Sequence, residues 1–306
     1  MPNLLGQPHE EAELCLRQSL NIARSIGSSQ QISMAASNLA GLHYERRGDF
    51  EGCLQFLDTW LEKAKVAGDD WLVAFLRYYR GRVLLQLGQY DRANRSLATA
   101  SQVMEKLGDL RLGLPSRVWS GLVQAYLGDY EGSAGTLLAA AERAREARND
   151  FELAMALVVR GFVDLLAGRV ETLRGGLERV LEGLDLLPDA DVLHSWSGFG
   201  YETAAALHLM LGETDEALQC STQGLRMMES DPAPWWPERR HFTHSRILRA
   251  LGQEGEADLY LRQAYDRVML VAGNTQYQEL RRSWLENVEV NREILAACAQ
   301  RGISRV

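Results

Sequence analysis

Six glycines recur along this chain at a nearly fixed interval: Gly48, Gly88, Gly128, Gly168, Gly212 and Gly252, whose numbers differ by 40, 40, 40, 44 and 40. A period between about 20 and 50 residues marks one supersecondary unit repeated and stacked. The stretch from Leu72 to Leu107 shows that unit as a helical hairpin: an apolar helix to Leu87, a turn at Gly88-Gln89-Tyr90-Asp91, then a second helix carrying Ala93, Leu97 and Ala100. An array of this kind grows by adding units and needs no division into separate cores, so the 306 residues are expected to form one all-α domain.

Aligned on the turn glycine, the units share columns. Seven residues before it stand Gly41, Gly81, Gly121 and Gly161, then Ala205 and Ser245. Glycine within a helix costs about 1 kcal/mol relative to alanine, so a column of small residues implies that two helices approach closely there. Five residues before the turn the column reads His43, Val83, Val123, Val163, Leu207 and Ile247, and one residue before it Arg47, Leu87, Leu127, Ala167, Leu211 and Leu251. These columns lie four apart on one helical face and are expected to form the core stripe. After the turn, Phe50, Tyr90, Tyr130 and Val170 stand at the second position and Cys53, Ala93, Ser133, Leu173, Ala217 and Ala257 at the fifth, where small size lets each hairpin close.

The second helices stop at Gly68-Asp69, Gly108-Asp109, Asn149-Asp150 and Gly273-Asn274, where Gly or Asn accepts the left-handed residue that ends a helix and Asp or Asn can cap the next. Leu187-Pro188-Asp189 and the proline-rich run from Ser230 to Pro237, with Trp235 and Trp236 in it, read as stiffer connectors. The expected layout is a half-repeat at 7–28, six repeats at about 30–68, 70–108, 112–149, 150–188, 190–231 and 235–273, and a C-terminal cap at 275–301. The half-repeat places Ala12, Leu16, Leu20 and Ala23 on one face and lacks a preceding helix to cover it, which implies self-association through that end or a larger parent protein.

Gly81 with Leu87-Gly88-Gln89-Tyr90-Asp91 and Ala93, and Gly121 with Leu127-Gly128-Asp129-Tyr130-Glu131, resemble the tetratricopeptide repeat (TPR) over roughly residues 30 to 273. The resemblance implies a right-handed superhelical α-solenoid whose first helices line a concave groove. Two departures stand out: the period is 40 rather than 34, and the last two units lack the mid-helix glycine. Together with the long period, Ser283-Trp284-Leu285-Glu286-Asn287-Val288 and Asn291-Arg292-Glu293-Ile294-Leu295 resemble the C-terminal sensor arms of bacterial signalling ATPases and of regulators related to the maltotriose-responsive activator. That resemblance implies an alternative role as the ligand-sensing arm of a larger regulator.

Little points to catalysis. No GxxxxGK[ST], GxGxxG, GxSxG or HExxH occurs, so no cofactor is expected. His241 and His244 have a metal-capable spacing, but Arg239 and Arg240 adjoin them and no third ligand is evident, so no metal is expected. Asp164 and His208 occupy the same column of successive units and are expected to approach each other as a structural pair. The net charge of −8 argues against wrapping a nucleic acid duplex. Cys15, Cys53, Cys220 and Cys298 form no close pair and read as buried, reduced thiols. With no apolar run near the ~18 residues needed to span a bilayer, a soluble, cytoplasmic, non-membrane protein is expected.

If the family geometry holds, first-helix positions ten, six and three before the turn face the groove. They include Asn38, Tyr78, Glu202 and Phe242; Leu42, Arg82, Leu122, Phe162 and Arg246; and Glu45, Leu85 and Arg249. The middle units are apolar and the end units charged, the pattern of an interaction surface. The expected function is a non-enzymatic scaffold for a peptide or partner helix, with Tyr78, Leu122, Tyr126 and Phe162 as apolar anchors, Arg82, Arg246 and Arg249 on carboxylates, and Asn38 and Glu202 completing the wall.

Overall fold

The structure is a computed structural model that describes residues 7–41, 47–187, 194–230 and 235–304. The expected positions Leu42, His43, Glu45, Pro188, Asp189 and the first part of the proline-rich connector, 231–234, lie outside the described residues, as does the side chain of Ala12. The described residues form helices and no strand: α1 (Gln7–Ser25), α2 (Ser29–Ala40), α3 (Phe50–Val66), α4 (Asp70–Gln86), α5 (Tyr90–Lys106), α6 (Leu110–Tyr126), α7 (Tyr130–Glu146), α8 (Asp150–Ala167), α9 (Val170–Leu186), α10 (His194–Met210), α11 (Thr214–Ser230), α12 (Pro237–Ala250), α13 (Glu254–Asn274), α14 (Gln278–Glu286) and α15 (Glu289–Gln300). From α2 onward they stack as hairpins, each first helix packing on its own second helix and on the first helix of the next unit. This is an α-solenoid of TPR-like repeats.

The hairpin-turn chemistry follows the sequence, while two expected helix stops depart from it: Arg148 rather than Asn149 takes the left-handed conformation, and Gly273 lies within α13. Every turn glycine has positive φ, from 63° at Gly168 to 87° at Gly128. At Gly88 the amide returns to the Leu85 carbonyl while Gln89 N–H returns to Leu84, satisfying the carbonyls at the helix end. Asp49, Asp69, Asp129 and Asn149 then cap the helices that follow, each accepting from a backbone N–H at 2.8 to 3.1 Å.

The mid-helix glycines sit where helices cross. A methyl group added at Gly81 would lie 2.5 Å from Leu97 Cγ, and at Gly121 2.8 Å from Leu137 Cγ. At Gly161 it would lie 2.5 Å from the backbone carbonyl oxygen of Gly176. The fifth-position column after the turn is wholly buried, as are Val83, Val123, Val163, Leu207 and Ile247. The column one residue before the turn departs from expectation: Leu87 is buried, at the turn the C-terminal cap packs against, but Leu127 is 42% exposed at a turn that nothing among the described residues covers. Among the cysteines Cys53 and Cys298 are buried, whereas Cys15 is exposed on α1, correcting the expectation for that thiol.

The C-terminal cap does more than close the last unit. It crosses back to the first two turns. The Glu51 carboxylate accepts from the backbone N–H groups of Gln276 and Tyr277 at 2.7 and 2.9 Å. Asn274 donates to the Arg47 carbonyl at 2.7 Å, and Asn287 donates to the Gly88 carbonyl at 3.3 Å. Phe50 packs on Trp284 with ring centroids 5.5 Å apart. Gly48 lies against Val271 and Gly88 against Asn287 and Val288, while the later turn glycines face open space. The solenoid therefore curves far enough for its C-terminal cap to lie against the first two turns.

Candidate functional site

The inner wall is assembled from α4, α6, α8, α10 and α12, and the end of the proline-rich connector folds onto it. Trp119 of α6 is the centre, with Trp196, Trp235 and Trp236 at centroid distances of 5.2, 5.5 and 5.8 Å. Phe199 bridges Trp236 to Phe162 at 5.0 and 5.1 Å. Trp236 takes φ of 47°, a conformation costing a bulky residue about 1–2 kcal/mol, which the burial of its ring offsets. The Arg82 guanidinium lies over Trp235 at 4.5 Å and also faces Tyr79 and Trp119, a cation held by ring faces.

Beside this box lies a polar row. Tyr90 stacks flat on Tyr126, with centroids 4.8 Å apart and planes 2° from parallel. Arg239 of α12 donates to the Tyr126 hydroxyl at 3.2 Å and covers the Phe162 ring at 4.8 Å. Glu202 receives the Thr243 hydroxyl at 2.9 Å on Oε1, while its Oε2 has no hydrogen-bond partner among the described residues. Glu238 is likewise buried with Oε1 unpartnered. Burial pushes both carboxyls above the usual carboxylate range, and Arg239 pulls against that shift. Burial likewise raises the Tyr126 and Tyr90 phenols, so both remain neutral donors.

The sequence-derived wall residues separate into two groups. Leu122 and Phe162 are fully buried, and Tyr78, Arg82 and Glu202 nearly so, as a core face rather than an open wall. Tyr126 is half-buried, and Asn38 and Arg246 are exposed. Arg249 is held by Glu254 and Asp258 at 3.2 and 2.8 Å, in a cluster that Arg301 completes. Arg239, Tyr90 and Trp119 are not among the groove residues that the sequence columns point to. Arg239 lies three positions beyond the outermost groove column, and its role follows from where the connector releases α12.

Asp164 and His208 do not meet, contrary to expectation. Asp164 pairs with Arg160 and Arg179 at 2.6 and 2.9 Å, and His208 with Glu213 at 2.7 Å. His244 shares a 2.8 Å hydrogen bond with Ser221, both side chains being buried, and packs on Tyr260 with His241. Among the described residues no three His, Cys, Asp or Glu side chains converge as metal ligands, and no helix is long and apolar enough to cross a membrane.

No protein-family model matches the chain, and no curated protein matches it in sequence. Solved structures do match in fold. A Rap protein complexed with competence and sporulation factor superposes with TM-score 0.57 at 13% identity, covering 98% of this chain and 89% of that one. NprR in complex with its cognate peptide NprX gives 0.58 at 13%, covering 96% and 84%. A tetratricopeptide repeat protein from Parabacteroides merdae gives 0.51 at 14%, covering 92% and 99%. The chain has the TPR-like repeat fold.

Proposed function

We propose that this chain is a non-enzymatic scaffold that takes up a peptide on its inner wall, with Tyr126, Arg239, Arg246 and Glu202 making the polar contacts and the buried Tyr78, Leu122 and Phe162 forming the apolar floor beneath them. The carrying observation is the pair of buried carboxylates, Glu202 and Glu238, each with an oxygen lacking a partner. Such a group costs about 1–3 kcal/mol unless something donates to it. A peptide's backbone N–H groups would supply those donors, while Arg239 and Arg246 suit its carboxylates. The structural relatives crystallised with competence and sporulation factor and with NprX support the same reading.

The test uses the tryptophans already on the wall. A peptide selected from a random display library against the full chain should shift tryptophan emission on titration, because Trp119, Trp196, Trp235 and Trp236 lie in one cluster. Saturable binding with unchanged emission would overturn the inner-wall placement.

The half-repeat face expected to lack cover is buried at Leu20 and Ala23, but we also propose that copies associate through another face of α1 and the residue just past it, where Leu14, Ile22 and Ile26 are 58%, 62% and 67% exposed.

A further inference from the structure

A second recess, sharing no residue with the inner wall, runs between α3, α4 and α5. Its larger lobe, of about 570 Å³, is lined by Arg77 and Arg80 of α4 and by Arg92, Arg95, Ser96, Thr99 and Gln102 of α5. A neighbouring lobe shares Arg77, Arg80 and Ser96 and adds Asp58, Glu62 and Lys65 of α3. The two lobes together hold five cationic side chains against two carboxylates, in a chain whose net charge is −8. Those carboxylates are already engaged: Asp58 pairs with Arg80 at 2.5 Å and Glu62 with Lys65 at 2.6 Å. Arg77, Arg92 and Arg95 form no ion pair among the described residues, and the Arg77 Nε is buried without a hydrogen-bond partner.

The repeat frame shows that the fold does not demand these arginines. They stand eleven and eight residues before the turn glycine and four and seven after it. The same four positions read Ser37, Ala40, Gly52 and Gln55 in the preceding unit and Arg117, Ser120, Gly132 and Gly135 in the following one. In later units they read Leu157, Arg160, Thr172 and Gly175; Tyr201, Ala204, Glu216 and Gln219; and His241, His244, Glu256 and Leu259. Arginine fills all four in one unit alone. Where it occurs elsewhere it has an acidic partner: Arg117 with Glu105, and Arg160 with Asp164.

We infer that this recess is a second binding site, for an acidic peptide segment. Guanidinium forks match carboxylates two oxygens at a time. The α5 wall carries polar groups from Arg92 to Gln102, about 15 Å of helix at 1.5 Å per residue, which is a track for several side chains of an extended strand. A compact anion would need only one end of it.

The probe is fluorescein-labelled hexa-aspartate, with hexa-asparagine as the neutral match, read by fluorescence anisotropy on the full chain. The expected result is binding of hexa-aspartate alone, weakening steeply with salt. Arg92→Gln with Arg95→Gln, both on the accessible wall, should weaken it by about tenfold or more. Arg281→Gln with Arg282→Gln, which removes equal charge elsewhere, should leave it unchanged. Equal binding of the two peptides, equal loss in both variants, or inorganic phosphate binding as tightly as the peptide would each overturn the assignment. Failure here leaves the inner-wall reading untouched, because the two sites have no residue in common.

Discussion

Glu51 and Gln276 stand 225 positions apart and meet at 2.7 Å, the carboxylate of the first accepting from the backbone N–H of the second. The same oxygen accepts from Tyr277, so one side chain at the first turn satisfies two amides just ahead of α14. Glu51→Ala leaves those amides without their acceptor and should destabilise the fold by about 2–4 kcal/mol, since hydrogen bonds to a charged group are the stronger kind. Urea denaturation measures it. Glu51→Gln, which keeps one acceptor oxygen, should lose less. Equal stability of all three proteins would mean that the ends do not hold each other.

The glycine column predicts a ranking. At Gly161 an added methyl meets the Gly176 backbone carbonyl, which cannot move aside, whereas at Gly81 its closest contacts are side-chain atoms of Leu97. Gly161→Ala should therefore cost about 1–3 kcal/mol through overpacking, and Gly81→Ala less. Thermal melts of the two variants give the order, and the reverse order would place the tight crossing elsewhere.

Glu152 sets a pH dependence. Burial, and secondarily the charge of Asp109, raise its carboxyl from 4.5 to about 7. A carboxyl raised on folding stabilises the protein fully below its unfolded value, and that contribution is lost as pH rises through the folded value. Wild-type stability should fall between pH 4.5 and about 7, and Glu152→Gln should flatten the fall and raise the Tm at pH 8. Melts of both proteins across that interval check it. Parallel curves would mean that Glu152 is solvated.

The α1 face can be tested in the same preparation. If copies associate there, Ile22→Glu with Ile26→Glu should shift light scattering toward the monomer mass across a dilution series. A wild-type chain already monomeric at high concentration would refute the association.

The repeat was legible because its signals are local. A glycine that must take positive φ, a small residue where helices cross and an Asp that caps the next helix each act within a few residues. The fold-back of the cap was not legible, because Glu51 and Gln276 carry no mark of each other. The expected groove columns were less legible: Leu122 and Phe162 are fully buried, and the connector tryptophans pack on Trp119 and Phe199 nearby, because an aromatic pair in a connector does not announce where it lands. Arg249 was drawn away by Glu254 and Asp258, which the turn brings beside it. The four arginines of α4 and α5 were visible in the sequence, yet only their convergence on one recess gives them meaning.

The most direct test of the inner-wall account is the affinity of a display-selected peptide for the wild-type chain and for Arg239→Gln, measured by calorimetry beside a melt of each. The account predicts a loss of about tenfold or more, the scale of one charged contact, in a protein that still melts cooperatively, though at a lower Tm because Arg239 also holds Tyr126 and faces buried Glu202 and Glu238. Equal affinity in the two proteins would contradict it.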